Sequence, residues 1–179
     1  MIGAHFHPDA ANGGHADVGG NGGGDEPSRL HLLLSYAGWE PDPLIERLPR
    51  LLEPMGVVSH RAGTGKDASR LIQNRTIHIA VVDLGLPLEA PATAEADPEF
   101  SEGGPRLLEL LRRLDDPPPV VAVKRRARTS RDDAREIAAA LRLGAFAVVD
   151  RPRAVSDLDV MLGVLRRCLD RHYRGRWPG

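Results

Sequence analysis

The chain has 179 residues, with 24 Lys+Arg against 25 Asp+Glu, a single cysteine and 41% apolar residues. That length suits one domain with tails, and a formal net charge of -1 argues against a general nucleic-acid binder and against a halophile-type acidic surface. Cys168 has no partner for an internal disulfide, the N-terminus lacks the basic start and apolar run of a signal peptide, and no window nears the ~18 apolar residues of a membrane span, so a soluble cytoplasmic protein is expected.

The charge is uneven along the chain. Residues 1–104 hold 7 Lys+Arg and 15 Asp+Glu, whereas residues 105–179 hold 17 and 10. Opposite halves favour internal pairing or a one-sided binding face. Residues 1–28 read as a disordered Gly-rich tail, because eight glycines and few large apolar groups bury too little surface to offset ordering entropy. His5, His7 and His15 in that tail match no metal-ligand spacing.

The first strand is Leu30-His31-Leu32-Leu33-Leu34. A helix follows, with Asp42 as its cap and Pro43 at its first position. Leu44, Ile45, Leu48, Leu51 and Leu52 keep helical spacing, and Pro49 predicts a kink or two short helical pieces. Gly56 to His60 forms a second strand. The RAGTGKD stretch after it fails as a phosphate loop, because His60 stands where the first glycine belongs and Asp67 replaces the hydroxyl residue. It reads as a turn, with Asp67 opening a helix to about Asn74.

Ile77 to Val82 is a short apolar run ending at Asp83. Such a run reads as a buried parallel strand, and its terminal carboxylate falls at the sheet edge where open α/β folds build their sites. Glu89 to Gly104 is rich in Ala, Pro and acids and has no period, so it reads as an acidic loop insertion. Pro105 opens a leucine-rich helix. Val120 to Val123 is the fourth strand, ending at Lys124. Ser130 caps a helix with Asp132 and Asp133 in its first turn, and Gly144 stops it. Phe146 to Val149 is the fifth strand, running into Asp150-Arg151-Pro152. The last helix starts near Ser156 and buries Cys168 as inert packing. Five strands alternating with five helices predict an α/β fold, a five-stranded doubly wound parallel sheet with helices on both faces.

From about Arg29 to His172 the chain resembles the receiver domain of two-component response regulators, a flavodoxin-like fold. The stretches that carry the likeness are VVDLGLP around Asp83, PPPVVAV, and LGAFAVVDRP. The resemblance implies that Asp83 is equivalent to the phospho-accepting aspartate and that Arg151-Pro152 stands for the family's Lys-Pro pair. It also exposes departures. The two acids that hold magnesium in the family are here Ser35 and Tyr36. The hydroxyl residue after the fourth strand is Lys124, and the aromatic of the fifth strand is Val148. A hard dication is held poorly by one carboxylate, and aspartyl phosphorylation leans on that metal. The expectation is a pocket of Asp83, Ser35, Tyr36, Lys124 and Arg151 with no magnesium cofactor and phosphorylation lost. Asp83 is expected to face Lys124 and Arg151. Two readings of that contact stay open: a built-in substitute for metal and phosphate, or an ordinary structural pair.

By the same resemblance, the face of the fourth helix, fifth strand and fifth helix docks a protein partner or a second copy. Arg125, Arg126, Arg128, Arg131, Arg166 and Arg167 would make it basic. A solvated charged surface explains any single one of them as well. No helix-turn-helix signature and few aromatics argue against nucleic acid. His31, His60 and His78 fall on strands and read as satisfied core or edge residues. No nucleophile elbow is present, so an enzyme is not expected. The alternative is a module binding an anion or small phosphate ligand at the carboxyl edge of the sheet, through Lys124 and Arg151.

Overall fold

The computed structural model describes residues 29–37, 44–90, 103–125 and 129–175. The Gly-rich tail, the Asp42 cap, most of the acidic insertion, Arg126, Arg128 and the last four residues lie outside them. Five strands form one parallel sheet: β1 (Leu30–Ser35), β2 (Val57–Ala62), β3 (Ile79–Asp83), β4 (Val120–Lys124) and β5 (Ala147–Asp150). Their order is β2-β1-β3-β4-β5. This is a doubly wound order whose sites gather at the carboxyl ends of the strands. Every residue of β3 and β4 is buried, which is why both read as unbroken apolar runs.

Five helices cover the faces: α1 (Leu48–Leu52), α2 (Gly65–Asn74), α3 (Gly103–Arg112), α4 (Ser130–Arg142) and α5 (Val155–Tyr173). Alternate strand residues point to opposite sides. Leu30, Leu32, Leu34, Val81 and Val123 pack with α1 and α5. Leu33, Ala80, Val82 and Ala122 pack with α2, α3 and α4.

The break expected at Pro49 is present. A 3-10 turn, Leu44–Arg47, hands over to α1, and Pro49 sits within the first turn of α1, where its missing amide costs nothing. Two caps differ from expectation. The α2 cap is Thr64, whose hydroxyl accepts from the Asp67 amide, and the α4 cap is Thr129, whose hydroxyl accepts from Asp132. In each case the hydroxyl lies before the acid, and the acid occupies the first turn, where it suits the dipole. Helix α3 begins at Gly103, two residues ahead of Pro105. A Cβ on Gly103 would sit 2.5 Å from the Leu86 carbonyl oxygen, and one on Gly104 would strike the carbonyl of Asp83. Only glycine lets α3 start this close to the end of β3. Gly144, at φ 97°, ends α4 as expected. Cys168 is buried on α5, and burial pushes its thiol up to about 12, so it is inert packing.

Candidate functional site

The carboxyl ends of β1, β3, β4 and β5 meet at one edge, and each contributes a residue to the site. Asp83 ends β3 and is fully buried. Its Oδ2 accepts a hydrogen bond from Arg151 Nη2 at 2.6 Å, and its Oδ1 accepts from the Gly85 amide at 3.0 Å. The expected pairing of Asp83 with Arg151 is therefore present. Burial pulls the Arg151 guanidinium below its ordinary range while the Asp83 charge draws it back, and an arginine stays protonated through both.

The expected contact between Asp83 and Lys124 is corrected. Lys124 Nζ donates to Asp133 and, at 2.5 Å, to Asp150. Strand register explains this choice: Lys124 lies opposite Asp150, while Asp83 lies opposite Val123. Side chains alternate along β4, so Lys124 and Val123 project to opposite faces. Asp133 comes down from the first turn of α4. Burial alone would lower the Lys124 ammonium, but the bonds to Asp133 and Asp150 outweigh it and hold it above its ordinary value. The cation beside Arg151 is instead Arg125: a Cβ on Gly85 would lie 3.1 Å from Arg151 Nη2 and 3.3 Å from Arg125 Nε.

Ser35 ends β1 and Tyr36 follows it. The Ser35 hydroxyl donates to the Val81 carbonyl at 3.0 Å. Tyr36 is buried on the α1 side and donates to Glu46 Oε1 at 2.8 Å. The Arg61 guanidinium lies 4.6 Å over its ring and pairs with Glu46 at 2.8 Å. Burial and the Glu46 acceptor push the phenol well above its ordinary value. A hard dication needs several oxygen ligands in near-octahedral geometry. Here the Ser35 hydroxyl is engaged, Tyr36 points elsewhere, the Asp83 carboxylate holds the Arg151 guanidinium, and Asp133 and Asp150 hold Lys124. Among the described residues no cluster of three or more His, Cys, Asp or Glu side chains is placed to hold a metal ion.

Sequence reasoning missed Asp133, Asp150 and Glu136. Asp133 read as a helix-dipole acid and Asp150 as a strand end. Glu136 lies one turn after the first acids of α4, and burial raises its carboxyl while Lys124 lowers it. A lysine ending a strand opposite an aspartate was the available signal, but it required the β4–β5 register. Val148, at the position of the expected aromatic, is half-buried against the α2–α4 side of the core. Arg131 and Arg167 are exposed on α4 and α5. Arg166 is corrected: it lines a groove with Met55, Leu169 and Tyr173, which places it at the α1 side of α5 and not on the surface shared with α4.

No protein-family model matches the sequence, and no curated protein matches it. Solved structures share its fold. The signal receiver domain of an HD domain-containing protein from Pseudomonas fluorescens Pf-5 is 19% identical, with a TM-score of 0.54, covering 80% of this chain and 97% of that one. A CheY-like response regulator receiver domain protein from Methanospirillum hungatei JF-1 is 19% identical, with a TM-score of 0.55 over 79% of this chain and 94% of that one. A response regulator from Thermotoga maritima is 16% identical, with a TM-score of 0.55 over 79% and 98%. The chain has the receiver fold. No helix of the described residues is long and apolar enough to cross a membrane.

Proposed function

We propose that this chain is a divergent receiver domain that acts in two-component-type signal transduction by protein–protein contact, without magnesium-dependent phosphorylation of Asp83. The observation that carries the reading is the occupied aspartate: Arg151 already holds its carboxylate at 2.6 Å, and Ser35 and Tyr36 are engaged away from it. In-line phosphoryl transfer needs a carboxylate oxygen free to attack and cations on the transferring group. With Arg151 on Oδ2, the Gly85 amide on Oδ1, and Ser35 and Tyr36 in place of acids, the metal-assisted route lacks its ligands.

Helix α4 supports docking. It buries only Ala140, whereas α5 buries seven residues. Leu141 on α4 and Val155 and Val160 on α5 are large apolar side chains left exposed. A helix this lightly held, which itself exposes Leu141 and Arg131, suits a partner or a second copy that completes its burial. A second reading rests on Arg125 beside Arg151: two guanidinium groups at one sheet edge suit an anionic ligand.

Thermal unfolding tests both. Magnesium with beryllofluoride mimics the aspartyl phosphate, and a bound ligand raises the midpoint by mass action. No shift is expected with the two together. A rise that needs both, and is absent with either alone, overturns the reading and restores a phospho-switch. A rise with inorganic phosphate alone, lost in Arg125→Ala, supports the anion module. The docking reading expects a dimer by sedimentation or a captured signalling partner that Leu141→Asp abolishes.

A further inference from the structure

Three histidines meet away from the Asp83 edge, towards the amino-terminal ends of β1 and β3. His31 Nδ1 and His60 Nε2 lie 2.8 Å apart, with ring planes within 6° of parallel. The His31 amide donates to His78 Nδ1 at 3.0 Å, and the His78 amide donates back to the His31 carbonyl at 2.9 Å. On the last turn of α5, Tyr173 donates its hydroxyl to the His78 carbonyl at 2.6 Å and sets its ring edge-on to the His78 imidazole. His172 lies beside Tyr173, Arg75 beside His60 and Asp116 beside His78. One cluster thus joins three neighbouring strands to the end of α5.

The bonds fix where protons sit. A neutral imidazole has one donor and one acceptor nitrogen. His78 Nδ1 accepts, so its proton is on Nε2. Between His31 and His60 one nitrogen donates and the other accepts. A first extra proton on that pair leaves a charge-assisted bond intact. A second forces two N–H groups to face each other, either between His31 and His60 or between the His31 amide and His78.

We infer that His31, His60 and His78 form a proton-operated latch that ties the last turn of α5 to the starts of β1 and β3, and that uptake of two protons opens it. The electrostatics agree with the geometry. Burial, and then the nearby His31 charge, lower both His60 and His78; Arg75 lowers His60 further, and Asp116 offsets part of the effect on His78. Groups held below their ordinary value stabilise the closed form above the ordinary histidine pKa of about 6.5, and that stability is lost as pH falls below it.

The test uses the full nitrogen-15-labelled chain between pH 8 and 5, with imidazole spectra and amide exchange at His31, corrected for intrinsic exchange. At pH 8 His78 should be the Nε2–H tautomer. Opening at the His31 amide should rise about 100-fold per pH unit below ~6.5, the law for two protons. Three independent titrations near the ordinary value, or a slope of tenfold or less, overturn the inference. His78→Gln keeps an acceptor for the His31 amide and removes the titration, so its slope should fall at least tenfold. Should that variant not fold, His60→Gln serves the same purpose, and a full wild-type slope in it also overturns the latch.

Discussion

Two ionic groups sit side by side at the carboxyl edge of the sheet, and they bury opposite charges. In the first, the fully buried member is the anion: Asp83 is 0% exposed and Arg151 16%. In the second, it is the cation: the Lys124 side chain is 5% exposed, against 35% for Asp133 and 57% for Asp150. The difference decides what each can withstand. Removing Arg151 strips the guanidinium from a carboxylate that water cannot reach. Removing Lys124 leaves two carboxylates that can rehydrate. A buried charge without its counter-ion is the costly outcome, whichever member is deleted. The first group is therefore rigid by necessity, and it contains the residue that would otherwise accept a phosphoryl group. The second ties β4, β5 and α4 together at moderate cost.

The strongest break in this comparison is Arg151→Met. It should cost about 3–5 kcal/mol in urea unfolding, because Asp83 stays buried without its guanidinium. Combining it with Asp83→Leu should recover much of that loss, since apolar replacements of a buried pair are often tolerated. A cost below about 1 kcal/mol would place Asp83 in contact with water and remove the contrast.

Lys124→Met comes next, at about 1–2 kcal/mol, because the lost hydrogen bonds are partly replaced by water at Asp133 and Asp150. The sign of its pH dependence follows from the raised lysine value. The contribution of Lys124 should be fully present below its ordinary value of 10.5 and decline as pH rises through the higher folded value. The stability gap between the wild type and Lys124→Met should therefore stay level from pH 7 to 9 and narrow above about 10.5. A gap that narrows already below pH 9 would mean that the two carboxylates do not hold the ammonium in solution.

The layers of the fold were legible in the sequence because burial writes itself as apolar runs. Every residue of β3 and β4 is inside, so their strands and terminal Asp83 and Lys124 could be placed from pattern alone. Helix starts were less legible. Thr64 and Thr129 act as caps just ahead of the residues expected to open those helices, since any Ser, Thr or Asp there satisfies the same amides. The site was half legible. Arg151 follows β5 and reaches Asp83 as expected, but the partners of Lys124 depend on which faces two adjacent strands present. That is set by register, and register is a property of the pairing and not of either strand. The histidine cluster was hidden for the same reason, since His31, His60 and His78 are 18 to 47 residues apart in the chain.

The smallest effect sharpens the comparison most, because it asks whether the two groups are coupled. Thr129 is exposed, and its hydroxyl accepts from the Asp132 amide at 3.2 Å. Thr129→Ala should cost only about 0.5–1 kcal/mol, the ordinary worth of such a cap. Its consequence depends on its neighbours. The Asp133 amide bonds the Thr129 carbonyl, and the Asp133 carboxylate bonds Lys124, so the cap and the lysine hold the same turn of α4. In a double-mutant cycle, Thr129→Ala and Lys124→Met should therefore show an interaction of at least about 0.5 kcal/mol. Thr129→Ala and Arg151→Met share no contact and should add within about 0.3–0.5 kcal/mol. Additivity in both cycles would make α4 indifferent to Lys124. Coupling in both would make the edge one network, in which a change at Asp83 reaches α4 and the docking surface.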